Sequence, residues 1–293
     1  MRRLFDRVLV ALDGSVRAEA ILTPLGTLLA GAPGSDVTLV TVVAGEPREG
    51  YAVPEAGVVL RSDDLRAAVE RYHARTIERF TLRGVRSSSR VRTGRTAEEI
   101  VDLSAELEVD LVALTTHGRS GLARWRLGSV AEKVLRASRA PVLALRSFPG
   151  GPALPDGAAF RRILVPVDGS GLSLAVRPLV AKIVGRTGAA IEALYVDDAP
   201  IGSDIPDDRS RGVLDAIARS FREAGLEATS RFRRGDPAAT IVDAAAEGRF
   251  DLVAMSTHGR SGLGRWMLGS VAEKVLRHGT TSILLAPARS LQG

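Results

Sequence analysis

The residues of this chain best suited to chemistry lie in one segment that occurs twice. Thr116–Arg136 reads THGRSGLARWRLGSVAEKVLR and Thr257–Arg277 reads THGRSGLGRWMLGSVAEKVLR; they differ at two of 21 positions. Each holds a His-Gly pair (His117–Gly118, His258–Gly259). After a nine-residue spacer comes a Gly-Ser pair (Gly128–Ser129, Gly269–Ser270), directly before an amphipathic stretch. Glycine lets a backbone approach an anion closely, and a helix N-terminus offers unpaired N–H groups at the positive end of its dipole. A pyrophosphate or triphosphate is the natural cargo of such a loop. A second candidate is the Asp of Asp-Gly-Ser at Asp13 and Asp168, also duplicated.

Each of these residues also has a purely structural reading. Ser129-Val-Ala-Glu132 and Ser270-Val-Ala-Glu273 fit the S-x-x-E capping box, with Ser capping the helix and Glu reaching back. Asp13 and Asp168 could close Asx turns. His117 and His258 could donate to loop carbonyls, and Trp125 and Trp266 could serve as packing anchors.

The duplication reaches well beyond the loop. RVLVALDGS (Arg7–Ser15) matches RILVPVDGS (Arg162–Ser170), and RTGRTAEEIVDLSAELEVDLVAL (Arg92–Leu114) matches RRGDPAATIVDAAAEGRFDLVAM (Arg233–Met255). Asp13 and Asp168 are 155 residues apart but Thr116 and Thr257 only 141, so the first copy carries about fourteen extra residues. The Pro/Gly-rich Ala44–Leu60 is their expected place, as a long loop. SFPGGPALPDGAAF (Ser147–Phe160) has linker composition. Domains are therefore expected at 1–146 and 161–293, joined by a linker over 147–160.

Within each copy, apolar runs of strand length alternate with stretches of helical period. In the first copy the order is RVLVAL, a helix bearing Ala18, Ile21, Leu22, Leu25 and Leu29, DVTLVTVV, and an amphipathic helix with Leu65, Val69, Tyr72, Ile77 and Phe80. SSRVRTG, TAEEIVDLSAELE, VDLVALTT, SVAEKVLRAS and PVLALR follow. Such alternation predicts α/β architecture: two tandem Rossmann-like domains, each an open five-stranded parallel sheet with helices on both faces. Ligands on such sheets bind beyond the carboxyl ends of the strands, the edge that carries Asp13, Val42 and the Thr116 loop.

Composition narrows the function classes. With no cysteine, disulfides, thiol catalysis and Cys-based zinc sites are excluded. The histidines His73, His117, His258 and His278 make no ligand pair at helical spacing. A net charge of +6 invites a nucleic-acid reading, but the arginines are scattered among carboxylates without a like-charge block, so nucleic acid is not the expected partner. No apolar run approaches the roughly 18–20 residues that span a bilayer, and the N-terminal MRRLFDRVLVALDGS is read as a first strand rather than a secretory signal. A cytoplasmic protein without a membrane partner is expected.

Both copies resemble the universal stress protein family, over nearly the whole chain as a tandem pair. Its nucleotide-binding members carry G-x2-G-x9-G-[S/T]. Here the second glycine is Gly118 or Gly259, and the Gly-Ser pairs follow at the family spacing, whereas Thr115 and Ser256 occupy the first glycine position. The resemblance implies ATP with Mg²⁺ in each half. Asp13 and Asp168 would lie at the adenine and ribose side or on the metal, and backbone at Ala11, Val42, Pro166 and Val196 would line the adenine pocket. His117, Gly118, Gly128, Ser129 and Val130, repeated as His258, Gly259, Gly269, Ser270 and Val271, would surround ribose and phosphates. It further implies pairing of last strands, which PVLALR and SILLAP could make inside one chain as a pseudo-dimer. Terminal strands or domain faces could also support a homo-oligomer.

No Walker A pattern occurs and no residue stands out as a base for an attacking water. A stress-response sensor that binds nucleotide is the expectation, rather than an enzyme. A nucleotide-independent scaffold and a slow ATP hydrolase are the alternatives.

Overall fold

The computed structural model describes residues 5–30, 34–43, 51–53, 58–60, 62–81, 84–116, 127–146, 160–198, 205–257 and 268–287. Side chains are described for all of these except 51–53, 58–60, 62, 63, 79 and 81.

In the first half the strands are β1 (Arg7–Ala11), β2 (Asp36–Val43), a hairpin of β3 (Tyr51–Val53) and β4 (Val58–Leu60), β5 (Arg86–Thr93), β6 (Leu111–Thr115) and β7 (Val142–Leu145). Its helices are α1 (Val16–Glu19), α2 (Leu22–Leu29), α3 (Ser62–Thr81), α4 (Thr96–Glu106) and α5 (Ser129–Ala137). The second half has β8 (Arg162–Val167), a 3-10 turn (Ser173–Val176), α6 (Arg177–Thr187), β9 (Ala190–Asp197), α7 (Asp208–Glu223) and β10 (Ala228–Arg234). It continues with α8 (Pro237–Glu247), β11 (Leu252–Ser256), α9 (Ser270–His278) and β12 (Ser282–Ala286).

Each half forms a parallel five-stranded sheet, and β7 and β12 pair antiparallel to give one ten-stranded sheet in the order β10-β9-β8-β11-β12-β7-β6-β1-β2-β5. Register at the junction sets Leu284 against Leu143 and Leu285 against Val142. The expected internal pairing of the last strands is thus the structure's central seam. Those strands are consumed within the chain, and the outer edges are β5 and β10. Both edges are rich in arginines held by neighbouring carboxylates, such as Arg92 with Glu106 and Arg231 with Glu192 at 2.7 Å. Charge on an edge strand discourages further pairing.

Strand residues alternate between two continuous cores. Val8, Val10, Leu111, Leu143, Ile163, Leu252 and Leu284 face the layer of α1–α3, α6 and α7. Leu9, Val112, Val142, Leu164, Val253 and Ile283 face α4, α5, α8 and α9. Apolar side chains on both faces explain why the strands read as unbroken hydrophobic runs. Two aspartates that open β6 and β11 tie the sheet together: Asp110 Oδ2 accepts from the Asp6 and Arg7 N–H groups, and Asp251 Oδ2 from those of Arg161 and Arg162.

The halves also meet off the sheet. Arg136 of α5 bonds Glu132 at 3.1 Å and Glu273 at 2.9 Å, while Arg277 of α9 bonds Glu273 at 3.0 Å and Glu132 at 3.5 Å. Arg146 Nη2 donates to the Leu276 carbonyl, and Arg186 Nη1 reaches the Leu28 carbonyl at 2.5 Å.

Two expectations about elements change. The Ala44–Leu60 insertion is not wholly loop, because it contains the antiparallel β3–β4 hairpin. The single helix expected after Asp-Gly-Ser is divided into α1 and α2, and its counterpart into a 3-10 turn and α6. The expected linker lies outside the described residues except for Phe160, which is fully buried.

Candidate nucleotide site

Each half carries a cavity at the carboxyl edge of its sheet. In the first half it measures about 320 Å³ and lies between the ends of β1, β2 and β6 and helices α3, α4 and α5. In the second it measures about 280 Å³, between β8, β9, β11, α8 and α9. The floor is apolar: Val40, Ile100, Leu114 and Ala131 in one, Leu194, Ile241, Met255 and Ala272 in the other.

The structure brings most of the sequence candidates together. Ala11, Asp13, Val42, Gly128, Ser129 and Val130 all line the first cavity, and Pro166, Asp168, Val196, Gly269, Ser270 and Val271 the second. His117, Gly118, His258 and Gly259 lie outside the described residues.

The Asp-Gly-Ser turns show how the carboxylates are held. Asp13 Oδ1 accepts from the Ser15 N–H at 2.9 Å and the Ser15 hydroxyl at 2.6 Å, and Asp168 Oδ1 accepts from the Ser170 N–H at 2.9 Å. Gly14 and Gly169 have φ of 80° and 82°, a left-handed backbone that suits glycine. The Asx-turn reading therefore holds, and the same turn fixes each carboxylate at its cavity wall.

The capping-box reading does not hold. The N-cap residues of α5 and α9 are Gly128 (φ −63°, ψ 141°) and Gly269 (φ −61°, ψ 147°), one position before the serines, and neither helix has a side-chain cap. Ser129 and Ser270 are the first helical residues, so Glu132 and Glu273 sit one position too far along to reach back. They serve the charge cluster between the halves instead. Burial of Leu127 and Leu268 anchors the approach to each helix. The Gly128 N–H donates to the Thr116 carbonyl and Gly269 N–H to that of Thr257, at 2.8 and 2.9 Å. What remains at the cavity is an uncapped helix start with an adjacent hydroxyl, the geometry that receives an anion.

For a divalent cation the fit is narrower. Among the described residues no group of three or more His, Asp or Glu side chains could hold a metal by itself. Mg²⁺ is normally bound by one or two carboxylates together with phosphate oxygens and waters. Asp13 in the first cavity, and Asp168 with Asp198 in the second, fit that partial role.

Sequence reasoning missed a buried polar chain beside the first cavity. His73 of α3 is 0% exposed. Its Nε2 lies 2.9 Å from Thr41 Oγ1 and its Nδ1 2.6 Å from Ser89 Oγ. Thr41 gives its only hydroxyl hydrogen to the Leu12 carbonyl at 2.8 Å. It must then accept from His73 Nε2–H, leaving Nδ1 to accept from Ser89. Burial pushes this imidazole down to about 4, so it is neutral at physiological pH. Its three members come from separate elements, and no local pattern could have joined them. The second half has Tyr195, Leu214 and Ser230 at these positions, so the two cavities are not the equivalent pair that the repeat implies.

Comparison with known proteins agrees with this architecture. The universal stress protein family matches twice, over residues 4–146 and 159–287. The chain belongs to the universal stress protein family. A universal stress protein of Methanocaldococcus jannaschii is 30% identical over 141 residues, covering 43% of this chain and 81% of its own length. One from Mycolicibacterium smegmatis is 24% identical over 297 residues, 96% of this chain and 97% of its own, and thus shares the tandem layout. The crystal structure of a universal stress protein from Archaeoglobus fulgidus has the same fold, with a TM-score of 0.73 at 19% identity over 97% of this chain and 99% of that one. Among the described residues no helix is long and apolar enough to cross a membrane.

Proposed function

We propose that each half of this universal stress protein, 1–146 and 161–293, binds one adenine nucleotide, ATP with Mg²⁺. On this reading the chain acts in the cytoplasm as a nucleotide-dependent sensor or regulator in the stress response. The observation that carries this reading is the uncapped start of α5 and of α9, each opening on a cavity at the carboxyl edge of the sheet. Phosphates meet the N–H groups of Ser129 and Val130, or Ser270 and Val271, and the serine hydroxyls. The adenine lies on the apolar floor beside backbone of Ala11 and Val42, or Pro166 and Val196. When bound, Mg²⁺ would supply charge neutralisation for the phosphates from the Asp13 or Asp168 side. His117, Gly118, His258 and Gly259 close the phosphate end in this proposal.

Binding rather than turnover follows from the same residues. The described cavity walls offer Asp13 in the first half and Asp168 with Asp198 in the second as ionisable groups, and Asp13 and Asp168 already accept hydrogen bonds that hold their turns. Calorimetric titration with ATP and with GTP, each with and without Mg²⁺, tests the proposal. Saturable ATP binding, strengthened by Mg²⁺ and favoured over GTP, is the expected result. No saturable heat at millimolar ATP would overturn it.

A further inference from the structure

The two Asp-Gly-Ser turns are braced in different ways. In the second half the brace is local: the Ser173 hydroxyl accepts from the Asp168 N–H at 3.3 Å and donates to the Ser170 carbonyl at 2.9 Å. The first half has Ala18 at that position, which offers no hydroxyl. Its turn is held from a distance instead. Leu12, the residue before Asp13, gives its N–H to the Val40 carbonyl at 2.9 Å, and its own carbonyl accepts from Thr41 Oγ1 at 2.8 Å. Thr41 is in turn fixed by the His73 imidazole of α3, which Ser89 holds from its other side. The same helix supplies a wall of the cavity. Leu65 and Val69 line it, two turns and one turn before His73 and so on one face of α3, and Leu12, Asp13 and Thr41 line it as well.

The geometry points to His73 as a positioning residue of the first cavity: it ties α3 and the end of β1 to one β2 hydroxyl, and so sets the spacing between the Leu65–Val69 wall and the Asp13 turn. The inference takes its ligand from the nucleotide reading above and names a residue behind the cavity that tunes the first half alone. A binding site keeps its geometry when the groups behind its lining are themselves held by packing and hydrogen bonds. His73 is fully buried and is not among the lining residues, so it acts through Thr41 and α3 rather than on the ligand. Packing alone serves α7, where Leu214 stands in place of His73. A leucine fixes the depth of a helix on a sheet. An imidazole with partners at 2.6 and 2.9 Å also fixes its direction.

The test titrates MgATP calorimetrically into the full chain carrying Gly269→Asp, which blocks the second cavity, at a temperature where circular dichroism shows every variant folded. His73→Leu should weaken binding roughly tenfold, the size of one hydrogen bond. Thr41→Val keeps the side-chain shape, breaks the chain at its middle and should cost a similar factor. The double variant should lose no more than either alone, because both changes cut one connection. His73→Gln keeps an N–H for Thr41 and should recover affinity to within about threefold of the parent. In the complementary Gly128→Asp chain, where ATP titrates the second cavity, His73→Leu should change affinity by less than about twofold. Unchanged affinity in both single variants would overturn the inference. So would equal losses in the two halves, which mark general destabilisation, or additive losses in the double variant. Absence of ATP binding in the unmodified chain would overturn the nucleotide reading, and this inference with it.

Discussion

The two halves share a segment that is identical at nearly every position, yet their cavities are finished differently. In the first half the wall behind β2 is polar: His73 joins Ser89 to Thr41, and Thr41 donates to the Leu12 carbonyl, one residue before Asp13. In the second half the same wall is Tyr195 against Phe232, ring centroids 6.0 Å apart, with Leu214 packed nearby. The first half also adds the β3–β4 hairpin before α3, whose Leu65 and Val69 line its cavity. The second adds Asp198. What the halves keep in common is the helix start, the Asp-Gly-Ser turn and the Glu-Arg pair of the seam. The repeated segment thus has two places in the structure, with its Gly-Ser end at the cavity and its Glu-x-x-x-Arg end at the partner half.

The sharpest way to break the equivalence is to cap one helix. Gly128→Asp or Gly269→Asp supplies the missing side-chain cap, and the observed extended φ and ψ are those an N-cap Asp adopts. The carboxylate takes the N–H groups and repels phosphate, so ATP binding should be lost from that half alone. Stability should rise by a few tenths of a kcal/mol, as denaturant titration would show.

Cutting the seam comes next. Leu143→Ala removes a fully buried side chain that faces Leu284 across the β7–β12 junction. A loss of about 2–5 kcal/mol is expected, read by the urea midpoint, with both halves affected together.

A smaller effect isolates the first half. His73→Leu installs the residue of the second half and leaves the Thr41 and Ser89 hydroxyls short of a partner, costing about 1–3 kcal/mol at pH 7. The pH dependence has a definite sign. The folded imidazole titrates near 4 and the unfolded one near 6.5, so between these values the unfolded chain binds the extra proton. Its contribution makes stability fall on acidification by up to about 1.4 kcal/mol per pH unit in that window. His73→Leu should remove that slope, measurable as urea unfolding at pH 7, 6 and 5.

The smallest change concerns the charge cluster. Arg136, Glu132 and Glu273 are about one third exposed, so Arg136→Ala should cost no more than about 1 kcal/mol. The Arg136 guanidinium holds the Glu273 carboxyl below its ordinary value. The pair therefore contributes fully above the usual glutamate range and fades as pH falls through the lowered one. Arg136→Ala should flatten the acid limb of thermal unfolding slightly, and salt should weaken the wild-type contribution.

Much of this was legible in the residues. Unbroken runs of strand length such as LVALTT and PVLALR suit strands covered on both faces, and their alternation with helical periods leads to a parallel sheet with its carboxyl edge at Asp13 and Gly128. The capping box misled because S-x-x-E does not say which residue leaves the helix. Gly128, with no side chain to compete for the N–H groups, takes the N-cap place and pushes Ser129 inside. The His73 chain joins three distant elements and leaves no trace in local spacing. The β3–β4 hairpin was hidden by the Pro/Gly content of its flanks, which reads as loop.

The central claim is that phosphate sits on the backbone at the starts of α5 and α9. Amide nuclear magnetic resonance of the full chain during titration with MgATP tests it most directly. The account predicts that the amides of Ser129, Val130, Ser270 and Val271 show the largest shifts, with Asp13 and Asp168 turn amides next. Saturating shifts confined to other surfaces, or none at these four amides, would contradict it.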